Sequence, residues 1–340
     1  MKRQELMSTW LAACCPGRPF TLALASADAS FRRYFRATFS DGTTRIVMDA
    51  PPQHEDCRPW LAVQRLLHSA GVHVPEVLAE DLAQGFLLLS DLGGMTYLAA
   101  LDARNAAGLY ADAIAALVRI QAASRPGVLP EYDRALLLRE LELFPEWYLA
   151  RHQQLELPAV ERDALNKVFE RILAVNLAEP RVFVHRDYHS RNLMVATPNP
   201  GIIDFQDAVY GPLSYDMVSL LRDAYIAWDE EQELDWLIAY WEQARRAGLP
   251  INTDFAAFHR DYEWMGVQRQ LKVLGIFARL CHRDGKAGYL DDMPRVLGYL
   301  RRACERYDEL SPLRRTLDRV EDKTTVLGFT LARPEQTHSE

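Results

Sequence analysis

The polar octapeptide His185-Arg186-Asp187-Tyr188-His189-Ser190-Arg191-Asn192 sets the terms for reading the rest of this chain. Twelve residues beyond Asn192 comes Asp204, within Ile202-Ile203-Asp204-Phe205-Gln206-Asp207. Three short apolar pieces, Val182–Val184, Leu193–Val195 and Gly201–Ile203, alternate with these polar residues. Short apolar runs between turn-formers read as strands. Asp187 and Asn192 then share one loop, and the hairpin that follows brings Asp204 back beside them.

Such a spacing suits phosphoryl transfer, where the protein mainly positions groups and stabilises charge. Asp187 is placed to hold an acceptor hydroxyl. The amide oxygen of Asn192 and the carboxylate of Asp204 are hard oxygen ligands of the kind Mg²⁺ takes while keeping waters. The octapeptide fits H-R-D-x-x-x-x-N, the catalytic loop pattern of protein kinases, without a gap. A lone His-Arg-Asp means little in a chain with 39 Lys plus Arg; the full spacing, with a β-flanked Asp-Phe after it, means much more. Zinc is the competing reading of His185 and His189, at i and i+4. Glu is absent at 186 and Arg186 would repel a metal, so His185 reads as a brace for the loop.

The chain has 340 residues, 39 Lys plus Arg against 47 Asp plus Glu, and a net charge of −8. That balance argues against a nucleic-acid binder, which needs a basic face. The length suggests about two domains. Five cysteines without a C-x-x-C pair are neither a disulfide scaffold nor a zinc site, and point to a reducing compartment, the cytoplasm. Leu11-Ala12-Ala13-Cys14 resembles a lipoprotein cleavage box, but Glu5, Ser8 and Thr9 break the apolar stretch before it, so residues 2–14 read as a helix. No apolar run is long enough to cross a membrane, and no obligate protein partner is evident.

The first ninety residues order as three strands, a helix and two strands: Phe20–Leu24, Phe31–Phe39, Thr43–Asp49, a helix over 58–70, then Val77–Glu80 and Phe86–Leu89. Asp41-Gly42 marks a hairpin turn. After Gly93-Gly94 helical period dominates, over 96–123, 134–151, 159–177, 214–227, 231–247, 253–282 and 287–309. Pro130, Pro158, Pro180, Pro212 and Pro250 sit between these segments. The expectation is an α+β chain of two lobes, a small antiparallel-sheet lobe over 1–92 and a larger, mostly helical lobe over 93–340. Residues beyond Ser311 read as a cover or a loose tail, fraying from Pro334 to Glu340.

The sequence resembles the aminoglycoside-phosphotransferase and choline-kinase branch of the bilobal protein-kinase-like fold, over nearly its whole length. A closer resemblance, to the sugar kinases of bacterial cell-wall recycling, is carried by 28–36 (Asp-Ala-Ser-Phe-Arg-Arg-Tyr-Phe-Arg), 48–52 (Met-Asp-Ala-Pro-Pro), 88–93 (Leu-Leu-Ser-Asp-Leu-Gly), 205–208 (Phe-Gln-Asp-Ala), Gly211-Pro212, Tyr215-Asp216 and 268–272 (Gln-Arg-Gln-Leu-Lys). Those kinases phosphorylate N-acetylmuramate and N-acetylglucosamine at the anomeric hydroxyl.

The resemblance implies ATP and Mg²⁺ as cofactors and an amino sugar as acceptor. Asp187 would be the catalytic base, with Asn192 and Asp204 as metal ligands. The loop at 25–30 would cover the phosphates; it has no glycine, though Ser30 can donate a hydroxyl. The strand at 46–49 lacks the usual lysine, and whether Met48 or Asp49 takes its place is open. Arg32, Arg33 or Arg36 could supply the missing cation; alternation puts Arg32 and Arg36 on one face and Arg33 on the other, and which face sees the cleft is open. The Ser90 carbonyl and Leu92 amide would bond adenine. Arg191, Gln206, Asp207 and Arg269 are the acceptor contacts, with Asp187. Asp216 reads as a brace for the catalytic loop, and the aromatics from Trp228 to Trp241 as core or pocket wall. Two alternatives stand beside this reading. One is another acceptor, such as an aminoglycoside, choline or homoserine. The other is a nucleotide-binding pseudokinase, favoured by the missing lysine and glycines and opposed by the intact Asp187, Asn192 and Asp204.

Overall fold

The computed structural model describes residues 3–27 and 31–328. Its elements run α1 (Arg3–Cys14), β1 (Phe20–Ala27), β2 (Arg33–Phe39), β3 (Thr44–Asp49), α2 (Cys57–Ser69), β4 (Val77–Asp81), β5 (Phe86–Ser90), α3 (Tyr97–Ala100), α4 (Ala106–Ala122), α5 (Arg134–Leu143), a π-helical segment (Phe144–His152) and α6 (Ala159–Asn176). Then follow β6 (Arg181–Val184), β7 (Leu193–Met194), β8 (Gly201–Ile202), β9 (Val209–Pro212), α7 (Tyr215–Leu221), α8 (Glu230–Arg246), α9 (Phe255–Asp284), α10 (Met293–Arg306) and α11 (Ser311–Gly328). The chain divides into two compact units. One holds Met1–Glu131, Arg181–Leu221 and Trp228–Thr253; the other holds Tyr132–Pro180, Arg222–Ala227 and Asp254–Glu340.

The first unit is built on a five-stranded antiparallel sheet ordered β1-β2-β3-β5-β4. The Asp41-Gly42 turn forms as expected: Asp41 Oδ1 accepts from the Thr43 N–H at 2.9 Å, and Gly42 takes φ +82°. Along β2, Phe35, Ala37 and Phe39 share a face and are buried with Val47, Phe86 and Leu88 against Met7 and Leu11 of α1. Each of the Phe, Val, Leu and Met side chains contributes roughly 1.5–3 kcal/mol on full burial. The Asp56 carboxylate caps α2 by accepting from the Arg58 N–H at 3.0 Å. The apolar face of α2, from Trp60 to Leu67, is buried.

The single helix expected over 96–123 is two helices. Asp102 Oδ1 accepts from the N–H groups of Arg104 and Asn105, and Asn105 Oδ1 accepts from the Asp102 N–H. These local side-chain bonds outcompete the helical ladder between α3 and α4.

In the second unit, α5 passes into the π-helical segment where Pro145 removes a backbone donor. The change coincides with a close approach: a Cβ on Gly275 of α9 would lie 2.5 Å from the Leu143 backbone. Nearly every residue of α9 from Tyr262 to Leu274 is buried, so its polar groups need partners. Gln268 Nε2 donates to the Leu137 carbonyl at 2.9 Å, and Lys272 Nζ lies 3.3 Å from Glu140. Gly285, at φ +70°, ends α9. The stretch from Ser311 is helical, as α11; Pro334–Glu340 lies outside the described residues.

Candidate active site

Two short ladders hold residues 185–207 in the first unit. β6 pairs with β9 through Val184 and Val209, and β7 pairs with β8 through Leu193 and Ile202. Asp187 sits just after β6, Asn192 just before β7, and Asp204 two residues after β8. The Ile203 N–H donates to the Asn192 carbonyl at 3.1 Å, which ties the far end of the hairpin to its start. Asn192 Nδ2 donates to the Asp187 carbonyl at 3.0 Å and lies 3.4 Å from Asp204 Oδ2. The three residues that the sequence singled out for the chemistry are therefore gathered.

A buried carboxylate shapes this loop. Asp216, at the start of α7, is fully buried and accepts from the His185 N–H at 2.6 Å and the Arg186 N–H at 3.0 Å. Arg186 has φ +77°, a conformation that costs a non-glycine residue about 1–3 kcal/mol. The two bonds to Asp216 offset that cost. Burial pushes the Asp216 carboxyl up to about 6, with His185 and the two N–H groups pulling the other way.

Burial lowers the His185 pKa, against the pull of Asp216 and Asp187. Its Nδ1 accepts from the Asp187 N–H at 3.3 Å, and its Nε2 lies 3.0 Å from the Ile203 carbonyl. Only the neutral ring with its proton on Nε2 satisfies both contacts. The expected brace is therefore seen, and it spans from the catalytic loop to the strand end before Asp204.

The donor set suits a divalent cation of the Mg²⁺ type. Asn192 spends its NH₂ on the Asp187 carbonyl, which leaves its amide oxygen for a ligand role. Among the described residues no group of three His, Cys, Asp or Glu could form a protein-only metal cage. One carboxylate plus one amide, with phosphates and water completing the shell, is how Mg²⁺ is usually held. Asp204 itself has φ +62°. Behind it Phe205 is fully buried against Trp60 of α2, with ring centroids 5.0 Å apart. The apolar face of α2 was legible in the sequence, but nothing there named Trp60 as the partner of Phe205.

The sheet sorts the candidate nucleotide contacts. Arg33 pairs across the strands with Asp49, and its Nη2 donates to Asp49 Oδ2 at 2.5 Å. Arg3 of α1 donates to Asp49 Oδ1 at 2.8 Å. Asp49 thus faces α1, whereas Met48, fully buried, lies on the opposite face with Arg36 and Tyr34. Arg32, just before β2, is half-buried. Arg36 binds Asp91 and the Gly93 carbonyl. The Ser90 N–H donates to the Glu76 carbonyl at 2.9 Å, and the Leu92 side chain would lie 3.0 Å from a Cβ on Gly201. Ser30 lies outside the described residues.

The acceptor candidates divide. Arg191 and Asp207 are exposed, and Gln206 is half-buried beside Asp204. Arg269 belongs to the second unit, on α9, where it is buried with Nη1 lacking a hydrogen-bond partner. The aromatics Trp228 and Trp236 pack on Tyr110, and the Trp228 Nε1–H donates to the Tyr110 hydroxyl at 2.9 Å.

Comparison with known proteins agrees with this geometry. The family model described as "Phosphotransferase enzyme family" matches residues 21–249. A curated protein of Neisseria meningitidis serogroup B, named "N-acetylmuramate/N-acetylglucosamine kinase", is 51% identical over 335 residues, covering 97% of this chain and 100% of that protein. One of the same name from Pseudomonas putida is 52% identical over 293 residues, or 86% of each. Among solved structures, a choline/ethanolamine kinase family protein from Mesorhizobium loti superposes with a TM-score of 0.60 at 17% identity, covering 92% of this chain and 97% of that one. That likeness concerns the fold alone, an α+β fold of the protein-kinase-like kind.

Proposed function

The chain belongs to the phosphotransferase enzyme family, and from that premise we propose that it transfers the γ-phosphoryl group of ATP to the anomeric hydroxyl of N-acetylmuramate and N-acetylglucosamine. The product is the sugar 1-phosphate, a step suited to recycling cell-wall sugars. The observation that carries this reading is the near-full-length match to relatives of that name. Because ATP is the donor, the reaction belongs in the cytoplasm; no helix among the described residues is long and apolar enough to cross a membrane.

In this reading the Asp187 carboxylate orients the anomeric hydroxyl and takes its proton as the new O–P bond forms and the bond from the γ-phosphorus to the bridging oxygen breaks, releasing ADP. The neutral His185 ring and the Asp216 carboxylate keep the Asp187 backbone in place. Mg²⁺, held by oxygens of Asn192 and Asp204, would neutralise charge on the phosphates. Residues 1–92 supply the nucleotide contacts, with Arg32 as the cation where Met48 leaves none. The Ser90 carbonyl and Leu92 amide serve the adenine edge, and Arg191 and Asp207 flank the acceptor.

Purified protein incubated with MgATP and a panel of sugars tests this directly. Phosphorus NMR should show a sugar 1-phosphate from N-acetylglucosamine or N-acetylmuramate. Phosphorylation of only another alcohol, or of another hydroxyl of these sugars, would sink the reading.

A further inference from the structure

The Gln206 side chain carries more than its neighbourhood in the sequence suggests. Its Nε2 donates to Asp204 Oδ1 at 2.7 Å and lies 3.4 Å from Asp207 Oδ2. The opposite end, Oε1, is enclosed and accepts no hydrogen bond within the protein. The amide orientation follows from chemistry: turned over, Oε1 would face the Asp204 carboxylate, acceptor against acceptor. A side chain reading a sugar would present a polar atom to an open pocket. This one turns its donor to the carboxylates and has its acceptor closed off.

We infer that Gln206 is a positioning residue for the metal site, holding the Asp204 carboxylate in its ligating orientation, rather than a sugar contact. The inference rests on the functional reading above, since it takes Asp204 as a metal ligand. Asp204 needs such a hold because its backbone is in the left-handed region, at φ +62°. A carboxylate has about four lone-pair positions, so the amide donors of Gln206 and Asn192 leave room for a cation. A lysine or arginine could grip Asp204 equally well, but its charge would repel Mg²⁺. A neutral amide holds the ligand without competing for the site. It also draws on Asp207, so one donor spans both carboxylates. Hydrogen-bond partners behind metal ligands are commonly worth about 10–100-fold in metal affinity.

The test uses Mn²⁺ as the probe, with binding followed by electron paramagnetic resonance at saturating ADP. Gln206→Met removes both polar atoms at nearly constant shape, and Gln206→Leu repeats the change with different packing. Both variants should bind Mn²⁺ about 10–100-fold more weakly. The Mg²⁺ concentration for half-maximal turnover should rise in step, while the sugar KM at saturating metal stays within about twofold. Unchanged Mn²⁺ affinity in both variants overturns the assignment, as does a raised sugar KM with unchanged metal affinity. Wild-type protein that binds no Mn²⁺ with ADP would overturn the functional reading itself, which separates the two failures.

Discussion

The guanidinium of Arg36 on β2 grips the carboxylate of Asp91 just beyond β5 with two prongs, Nε to Oδ2 at 2.6 Å and Nη2 to Oδ1 at 3.1 Å. Nη2 also donates to the Gly93 carbonyl at 2.8 Å, and the Gly93 N–H donates to Asp91 Oδ1 at 2.9 Å. Burial raises the Asp91 pKa, but Arg36, the Gly93 N–H and Thr44 together hold it below the usual range. The connection that would present the Leu92 amide is thus tied to the sheet.

Arg36→Ala should raise the ATP KM about tenfold and lower stability by about 1.5–3 kcal/mol, as charge-assisted bonds do. Arg36→Lys should recover little, because lysine cannot reproduce the fork. Steady-state kinetics with denaturant unfolding checks both; an unchanged ATP KM in Arg36→Ala would refute the link.

Asp187→Asn should fold normally and lower kcat by about 10²–10⁴-fold, the usual worth of a positioned base. Matching thermal unfolding curves would confirm the fold. Full turnover in the variant would mean that another group takes the proton.

Acid should weaken the catalytic loop through Asp216. Its carboxyl titrates at about 6, and protonation costs it an acceptor position for the His185 and Arg186 N–H groups. We expect kcat to fall below about pH 6. For stability the two buried groups oppose each other. Between the ordinary aspartate pKa and about 6, folded Asp216 keeps a proton that the unfolded chain has released, so this group favours folding more as pH drops. His185, lowered from 6.5, stays neutral when the unfolded chain takes a proton, so its contribution is full above 6.5 and lost below. Asp216→Asn should therefore lose the acidic limb of kcat and become steeper in its acid destabilisation, measurable by urea unfolding across pH 4–7.

The second unit should depend on Glu263. This carboxylate is almost fully buried and accepts from the Tyr307 hydroxyl at 2.7 Å and Arg306 Nη1 at 2.5 Å, with Arg222 Nη2 at 3.4 Å. Arg222 is buried too. Glu263→Ala removes the buried carboxylate from this cluster and should cost about 3–5 kcal/mol. Burial raises the Glu263 pKa, but Tyr307, Arg222 and Arg306 outweigh it and hold the group below 4.5. Its stabilisation is therefore present above pH 4.5 and should fade as the pH falls further. A loss under about 1 kcal/mol in chemical denaturation would show that the cluster contributes little.

The sequence by itself determined which chemistry-bearing residues exist and how far apart they lie. The octapeptide at 185–192, the two short apolar pieces after it and Asp204 set a loop and a hairpin, because strand periodicity and turn residues act locally. The Asp41-Gly42 turn and the proline breakers were legible for the same reason. Tertiary structure alone decided which groups meet. Arg33 turned to Asp49 and Arg3, Arg36 to Asp91, Gln206 toward Asp204, and Arg269 was buried on a helix of the other unit. Strand alternation gives two faces but not what covers each; the packing of α1 on one of them settled the question for Arg33. The break between α3 and α4 and the π-helical segment likewise escaped periodicity. One arises from side chains competing for backbone donors, the other from a proline beside a close approach of α9. Partners distant in sequence and buried together are chosen by burial and charge pairing in three dimensions, which no local pattern encodes.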